Sequence, residues 1–121
     1  MTPYVPEIGD IVFLDFDPQI EHEQAKRRPA LVLTDARYNR ASGLSVVCPL
    51  TSKRKPYPFA LPATVGGVAE AIPAAILVDQ LKSMDWAGRH AEFHSKAAPA
   101  LLTRVRQYIG VLLSIPGSAQ K

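Results

Sequence analysis

A chain of 121 residues with 47% hydrophobic content and a single cysteine is expected to form one domain, residues 1–121, around a packed core that needs no disulfide or metal staple. No apolar stretch approaches the ~20 residues that span a bilayer, and Met1–Pro6 lacks a signal-peptide pattern, so a soluble, cytoplasmic protein is expected. The formal charge of +3 and pI near 9.2 favour an anionic partner without identifying one.

Gly9-Asp10 reads as a turn into Ile11-Val12-Phe13-Leu14-Asp15-Phe16, a β-branched and aromatic run that predicts a first strand ending at Asp17-Pro18. From Gln19 to Arg28 the chain is polar without strand alternation. This predicts a charged loop feeding the apolar strand Ala30-Leu31-Val32-Leu33. Asn39 to Gly43 carries turn residues. Leu44 to Leu50 reads as a third strand, and Pro49 within it predicts an edge position or a bulge near its end. Cys48 lies in the same run and is expected to pack as a small buried hydrophobe.

Tyr57–Leu61, Ala75–Val78 and Arg89–Phe93 predict three further strands, punctuated by Pro and Gly. So many short strands in so few residues predict a small barrel. The one clear helix follows Pro99, where Leu101, Leu102, Val105, Tyr108, Ile109, Leu112 and Leu113 recur at helical spacing and Pro116-Gly117 marks the end. Trp86 reads as a core or interface anchor, with the core favoured.

No His, Cys and carboxylate grouping has the spacing of a zinc site, and neither a Gly-rich phosphate loop nor a Gly-x-Ser-x-Gly elbow is present. No cofactor is expected. What remains is polar residues where strands end: Lys26-Arg27-Arg28 before one strand and Thr51-Ser52-Lys53-Arg54-Lys55 after another. If those strands pair antiparallel, Arg28 and Thr51 meet on one rim. The alternative is a solvated basic surface.

Tyr4-Val5-Pro6, Gly9-Asp10-Ile11-Val12, Asp15-Phe16-Asp17-Pro18, Glu23-Gln24-Ala25, Arg28-Pro29-Ala30-Leu31-Val32-Leu33, Pro49-Leu50-Thr51, Tyr57-Pro58-Phe59 and Asp79-Gln80-Leu81-Lys82-Ser83-Met84-Asp85-Trp86 stand in the order of the MazF/PemK toxins. Each piece is weak alone; the ordered set, from Tyr4 to the terminal helix, resembles that family specifically. The resemblance implies an SH3-like, partly open β-barrel, mainly β with a C-terminal helix. It also implies a homodimer that cuts single-stranded RNA at short sequences without metal, leaving 2′,3′-cyclic phosphate and 5′-hydroxyl ends, and a MazE-like antitoxin as partner.

Residue by residue, Arg28 and Thr51 match the family's catalytic arginine and threonine, with Ser52 as a neighbouring hydroxyl. Glu23 matches a loop glutamate that acts as a base or positions RNA, beside Gln24. His22 has the more suitable intrinsic pKa for proton transfer, about 6.5, although a polar-loop histidine is more often simply solvated. One branch of the family has a histidine before the catalytic arginine; here Arg27 stands in its place, which excludes that acid/base.

Arg27, Lys53, Arg54 and Lys55 are expected to contact RNA phosphates. Tyr57 and Phe59 are expected either to stack on bases or to pack in the core. Gln80 and Lys82, with Asp79 and Ser83, are expected at the floor of the site and the dimer interface. A CcdB-like gyrase poison, which shares the barrel but acts by binding protein, is the competing reading; the tail Ser114–Lys121 lacks the Trp-Gly-Ile ending associated with it. A binding module that has lost activity ranks last, because both key side chains are present.

Overall fold

In the computed structural model, the residues described are 3–16, 27–51, 59–65 and 72–117. They form β1 (Asp10–Asp15), β2 (Arg27–Val32), α1 (Ala36–Ser42), β3 (Leu44–Thr51), β4 (Ala60–Val65), β5 (Ile72–Leu77), a 3-10 turn (Val78–Gln80), β6 (Lys82–Asp85), β7 (Glu92–Lys96) and α2 (Pro99–Leu112). The strands make a 7-stranded sheet in the order β4-β5-β3-β2-β1-β7, with β6 paired to β3 off that path. Every pairing is antiparallel. Among the described residues β4 and β7 end the order without meeting, so the sheet is a partly open barrel with a C-terminal helix.

β3 organises the whole. One of its edges takes β2, with Ala30 opposite Pro49, Leu31 opposite Cys48 and Val32 opposite Val47. Its other edge takes β6 along Leu44–Val47 and then β5 at Leu50 and Thr51. Pro49 is therefore not on an edge strand, the first of the two placements expected from sequence; it stands instead at an irregularity near the end of β3, where the partner changes. The backbone of Val46 faces β2, since its carbonyl accepts from the Leu33 N–H at 2.8 Å. Alternation turns Pro49 the other way, into the step between β6 and β5, where no ladder bond is lost for want of its N–H.

Because side chains alternate across a strand, the sheet carries a core on each face. One face gathers Ile11, Leu31, Cys48, Leu50, Leu61, Ile76 and Val78, capped by Val105 and by Leu101, Leu102, Tyr108 and Ile109 of α2. The other gathers Val12, Leu14, Ala30, Val32, Val47 and Met84, with Tyr4, Phe16, Trp86 and Ala91 packed over them. A fully buried aliphatic side chain contributes roughly 1.5–3 kcal/mol, so β1, β2 and β3, buried from both sides, are the most constrained part of the fold. Cys48 is buried as expected, and burial pushes its thiol up to about 12, with the charge of Asp79 adding to the effect. Trp86 takes the core role and donates its indole N–H to the Asn39 carbonyl at 3.0 Å.

Several boundaries differ from the sequence expectation. Asn39–Gly43 is not a simple turn but the end of α1, which Asp35 caps by accepting from the Tyr38 N–H at 2.9 Å and which Gly43 ends at φ +78°. Only Asn39 of this short helix is buried, so there is no apolar stripe to read. Asn39 is held by the carbonyls of Pro6 and Thr34, at 2.8 and 2.9 Å.

β6 is a strand where sequence showed only a motif. The strand expected at Arg89–Phe93 begins instead at Glu92, because Trp86–His90 form a turn with His90 at φ +57°. The strand expected at Tyr57–Leu61 runs Ala60–Val65, and Tyr57 lies outside the described residues. α2 stops at Leu112, before Pro116, as Ser114 takes φ +57° and leaves Leu113 exposed. No helix among the described residues is long and apolar enough to cross a membrane.

Candidate active site

The β2–β3 ladder ends at Ala30 and Pro49. The next β2 residue, Pro29, has no N–H to continue it, and β3 turns to β5 at Leu50 and Thr51. Two residues beyond the last pair, on the same face by alternation, stand Arg28 and Thr51. The antiparallel pairing expected from sequence thus brings them level, at the place where the two strands part.

The same face carries two further side chains. Lys82 opens β6 opposite Val47, and Phe16 continues the Val12, Leu14 alternation just past β1. The guanidinium carbon of Arg28 lies 5.9 Å from the Phe16 ring centroid and the ammonium nitrogen of Lys82 lies 5.6 Å from it. An electron-rich ring within about 6 Å stabilises each cation and offsets part of their mutual repulsion. The arrangement gathers two cations at one ring, on the face of the sheet that alternation also gives to Thr51, and paired positive charge suits a phosphodiester.

Arg27 points the other way, as the neighbour of Arg28 in an extended strand must. Its Nη1 donates to Asp15 Oδ1 at 2.8 Å, and its Nη2 donates to the His90 carbonyl at 2.8 Å and to the Phe13 carbonyl and Glu92 Oε1 at 3.2 Å each. Asp15 Oδ2 meets His90 Nδ1 at 2.8 Å. The hydrogen bond from His90, then that from Arg27, holds the Asp15 carboxyl below the usual carboxylate range. Arg89 also bears on this strand end, its Nη1 donating to the carbonyls of Asp15 at 2.9 Å and Phe16 at 2.7 Å.

Of the remaining expected site residues, Gln80 sits exposed at the end of the 3-10 turn, two positions before Lys82. Glu23, Gln24, Ser52, Lys53, Arg54 and Lys55 lie outside the described residues, as does His22. Phe59 is a core residue, packed edge-on against Tyr108 with centroids 6.1 Å apart, which leaves it no part in stacking. Among the described residues no His, Cys, Asp and Glu side chains group as a metal site. Phe16 and Arg89 were not singled out from sequence; the period-2 pattern through Phe16 was the available signal, and nothing local marks Arg89.

A family model described as the PemK-like, MazF-like toxin of type II toxin-antitoxin system matches residues 7–113. The chain belongs to this family. Among its MazF/PemK relatives, the endoribonuclease toxin MazF of Escherichia coli (strain K12) is 36% identical over 113 residues, 93% of this chain and 98% of the relative. The Escherichia coli endoribonuclease PemK is 29% identical over 112 residues, 89% of this chain and 82% of the relative. The crystal structure of MazE-MazF (Form-II) from Deinococcus radiodurans superposes with a TM-score of 0.80 at 44% identity, covering 93% of this chain and 99% of that one. In MazF/PemK terms, the matched span takes in β1 to α2 and therefore Arg28, Thr51 and Lys82 together.

Proposed function

We propose that this protein is the toxin of a type II toxin–antitoxin pair, a sequence-specific endoribonuclease that cuts single-stranded RNA without metal. The observation that carries the reading is the placement of Arg28 and Thr51 two residues past the last β2–β3 pair, on one face by alternation, in a chain of the MazF/PemK family. The family match favours this reading over a gyrase poison. One domain, residues 1–121, acts as a cytoplasmic homodimer, and its second partner is a MazE-like antitoxin whose acidic tail covers the basic site.

The reaction uses the RNA's own nucleophile. The 2′-hydroxyl attacks the adjacent phosphorus, the P–O5′ bond breaks, and 2′,3′-cyclic phosphate and 5′-hydroxyl ends form. The protein must orient the backbone, move two protons and stabilise extra charge on the phosphorane. Arg28 presents planar paired donors to the non-bridging oxygens, where charge grows in the transition state. Thr51 donates its hydroxyl to the same phosphate. Lys82, beside the same Phe16 ring as Arg28, adds a point charge.

A guanidinium carries its charge permanently and donates without accepting, so proton removal falls to another group, for which Glu23 is our candidate. Gln24, Ser52, Lys53, Arg54, Lys55 and Gln80 are assigned to RNA binding. Arg27, engaged with Asp15, Glu92 and backbone carbonyls, braces the strand end in place of the phosphate contact expected from sequence.

The test is incubation with a long single-stranded RNA in excess EDTA, beside Arg28→Ala, with the cut ends mapped. Discrete cuts bearing cyclic phosphate and absent in the variant are expected. Intact RNA across varied substrates would overturn the reading.

A further inference from the structure

We infer that Arg89 is a positioning residue for this site: it holds the end of β1 so that the Phe16 ring can fix Arg28 and Lys82. The inference rests on the nuclease reading for its effect on catalysis, but its geometry stands apart from it.

The connection runs through the backbone. β1 ends at Asp15, so Phe16 lies past the last ladder residue, where a strand end frays unless its backbone groups find partners. Arg89 supplies them from the Trp86–His90 turn. Its carbonyl accepts from the Asp15 N–H at 3.0 Å, and its guanidinium donates from a single nitrogen to the Asp15 and Phe16 carbonyls at 2.9 and 2.7 Å. Bonds from a charged donor are stronger than neutral ones, so the two carbonyls on either side of the Phe16 Cα, those of Asp15 and Phe16, are held by one side chain. The turn is in turn anchored, with the Arg89 N–H on the Asp85 carbonyl at 2.9 Å at the end of β6, the strand that begins with Lys82.

The Phe16 ring then sets the cations. Arg28 and Lys82 come from different strands, β2 and β6, and both lie within 6 Å of the ring centroid, at 5.9 and 5.6 Å. Moving the Phe16 backbone moves the surface on which both rest. Arg89 touches neither cation in the contacts described and acts on them only through Phe16. A catalytic donor displaced by an ångström loses up to ~100-fold in rate, so the device has catalytic weight without contact with RNA.

Arg89→Ala, Arg89→Lys, Phe16→Leu, Arg28→Ala and the Arg89→Ala/Arg28→Ala double variant are compared as full-length chains, with thermal unfolding as the folding control. With a fluorogenic single-stranded RNA, Arg89→Ala is expected to lower kcat ~10-fold or more while KM stays within about twofold. Arg89→Lys, whose ammonium still reaches a carbonyl, is expected to recover much of the loss. In the Arg28→Ala background Arg89→Ala is expected to add less than about twofold, because both changes remove one function.

A second readout needs no cleavage: the ring-current displacement of the Arg28 side-chain proton signals in NMR spectra is expected to vanish in Phe16→Leu and to shrink in Arg89→Ala. Unchanged kcat in a folded Arg89→Ala, multiplicative losses in the double variant, or an Arg28 signal unmoved by Arg89→Ala would each overturn the inference. A wild-type chain that leaves RNA intact, with the Arg28 signal responding as expected, would overturn the nuclease reading and leave the positioning role standing.

Discussion

Arg27 and Arg28 are neighbours in β2 that leave the strand on opposite faces, one held by Asp15, Glu92 and the carbonyls of Phe13 and His90, the other beside Phe16 at the parting of β2 and β3. Two identical side chains, one position apart, therefore have separable roles. Arg28→Ala is expected to lower kcat by ~10²–10³, as loss of an oriented transition-state donor does, with little change in melting temperature. Arg27→Ala is expected to keep activity within about twofold and to cost at most about 1 kcal/mol, because its ion pairs are partly exposed. That loss reads as a Tm decrease of roughly 5 °C or less. Parallel kinetics and thermal melts check both; a large loss of kcat in Arg27→Ala would contradict the division.

The carboxyl of Asp15 gives the fold an acid-sensitive joint. Its pKa is lowered by the His90 hydrogen bond and then by Arg27, so its folded-state value lies below the unfolded one, about 3.9. A lowered value stabilises the fold above the unfolded pKa, and the contribution disappears as pH falls through the folded value. The wild type is therefore expected to lose more stability than Asp15→Asn between about pH 5 and pH 3. Thermal melts across that range check this, and parallel curves for the two proteins would count against it.

Cys48 is predicted to be chemically silent in the folded chain. Burial between the sheet and α2 pushes its thiol up to about 12, so almost no thiolate is present at pH 8, and the thiolate is the reactive form. An aromatic disulfide reagent at that pH is expected to leave the native protein unmodified and to react fully once denaturant exposes the side chain. Rapid stoichiometric labelling of the native protein would show that this face of the sheet opens readily.

His90 occupies the left-handed region at φ +57°, which disfavours any side chain with a Cβ. His90→Ala and His90→Gly both remove the contact with Asp15, but only glycine relieves the backbone. His90→Gly is thus expected to be more stable than His90→Ala by about 1 kcal/mol, measured by urea denaturation. Equal stabilities would mean that the turn carries no strain at this position.

The core packing yields a fifth, larger effect. Leu31 is completely buried in the centre of the sheet against Ile11, Cys48 and α2. Leu31→Ala is expected to cost ~2–5 kcal/mol, the transfer energy plus that of a cavity the rigid strands cannot collapse. Denaturant unfolding checks this, and a loss under about 1 kcal/mol would show the site relaxing freely.

Period and composition were enough to locate β1, β3, α2 and the apolar part of β2, because each buries a continuous face and so imposes its pattern on the residues themselves; Arg27 and Arg28, exposed at the start of β2, read as loop instead. Ile11 to Leu14 and Leu101 to Ile109 carry the stripes that the structure buries. The ordered motifs likewise marked Arg28 and Thr51 from sequence, and a short strand-to-strand argument placed them level. α1 and β6 escaped that reading: α1 buries only Asn39, and β6 is 4 residues long with one buried side chain, Met84, too little to impress a period.

What tertiary structure alone decided were the relations between distant segments. That β3 exchanges β6 for β5 at Pro49, that Arg27 finds its acceptors in residues 12 to 65 positions away, and that Arg89 reaches the Asp15 and Phe16 carbonyls across 74 and 73 positions follow from how the sheet curls. A side chain's local pattern records which face it buries; it carries no record of which charge will stand across from it once the strands close.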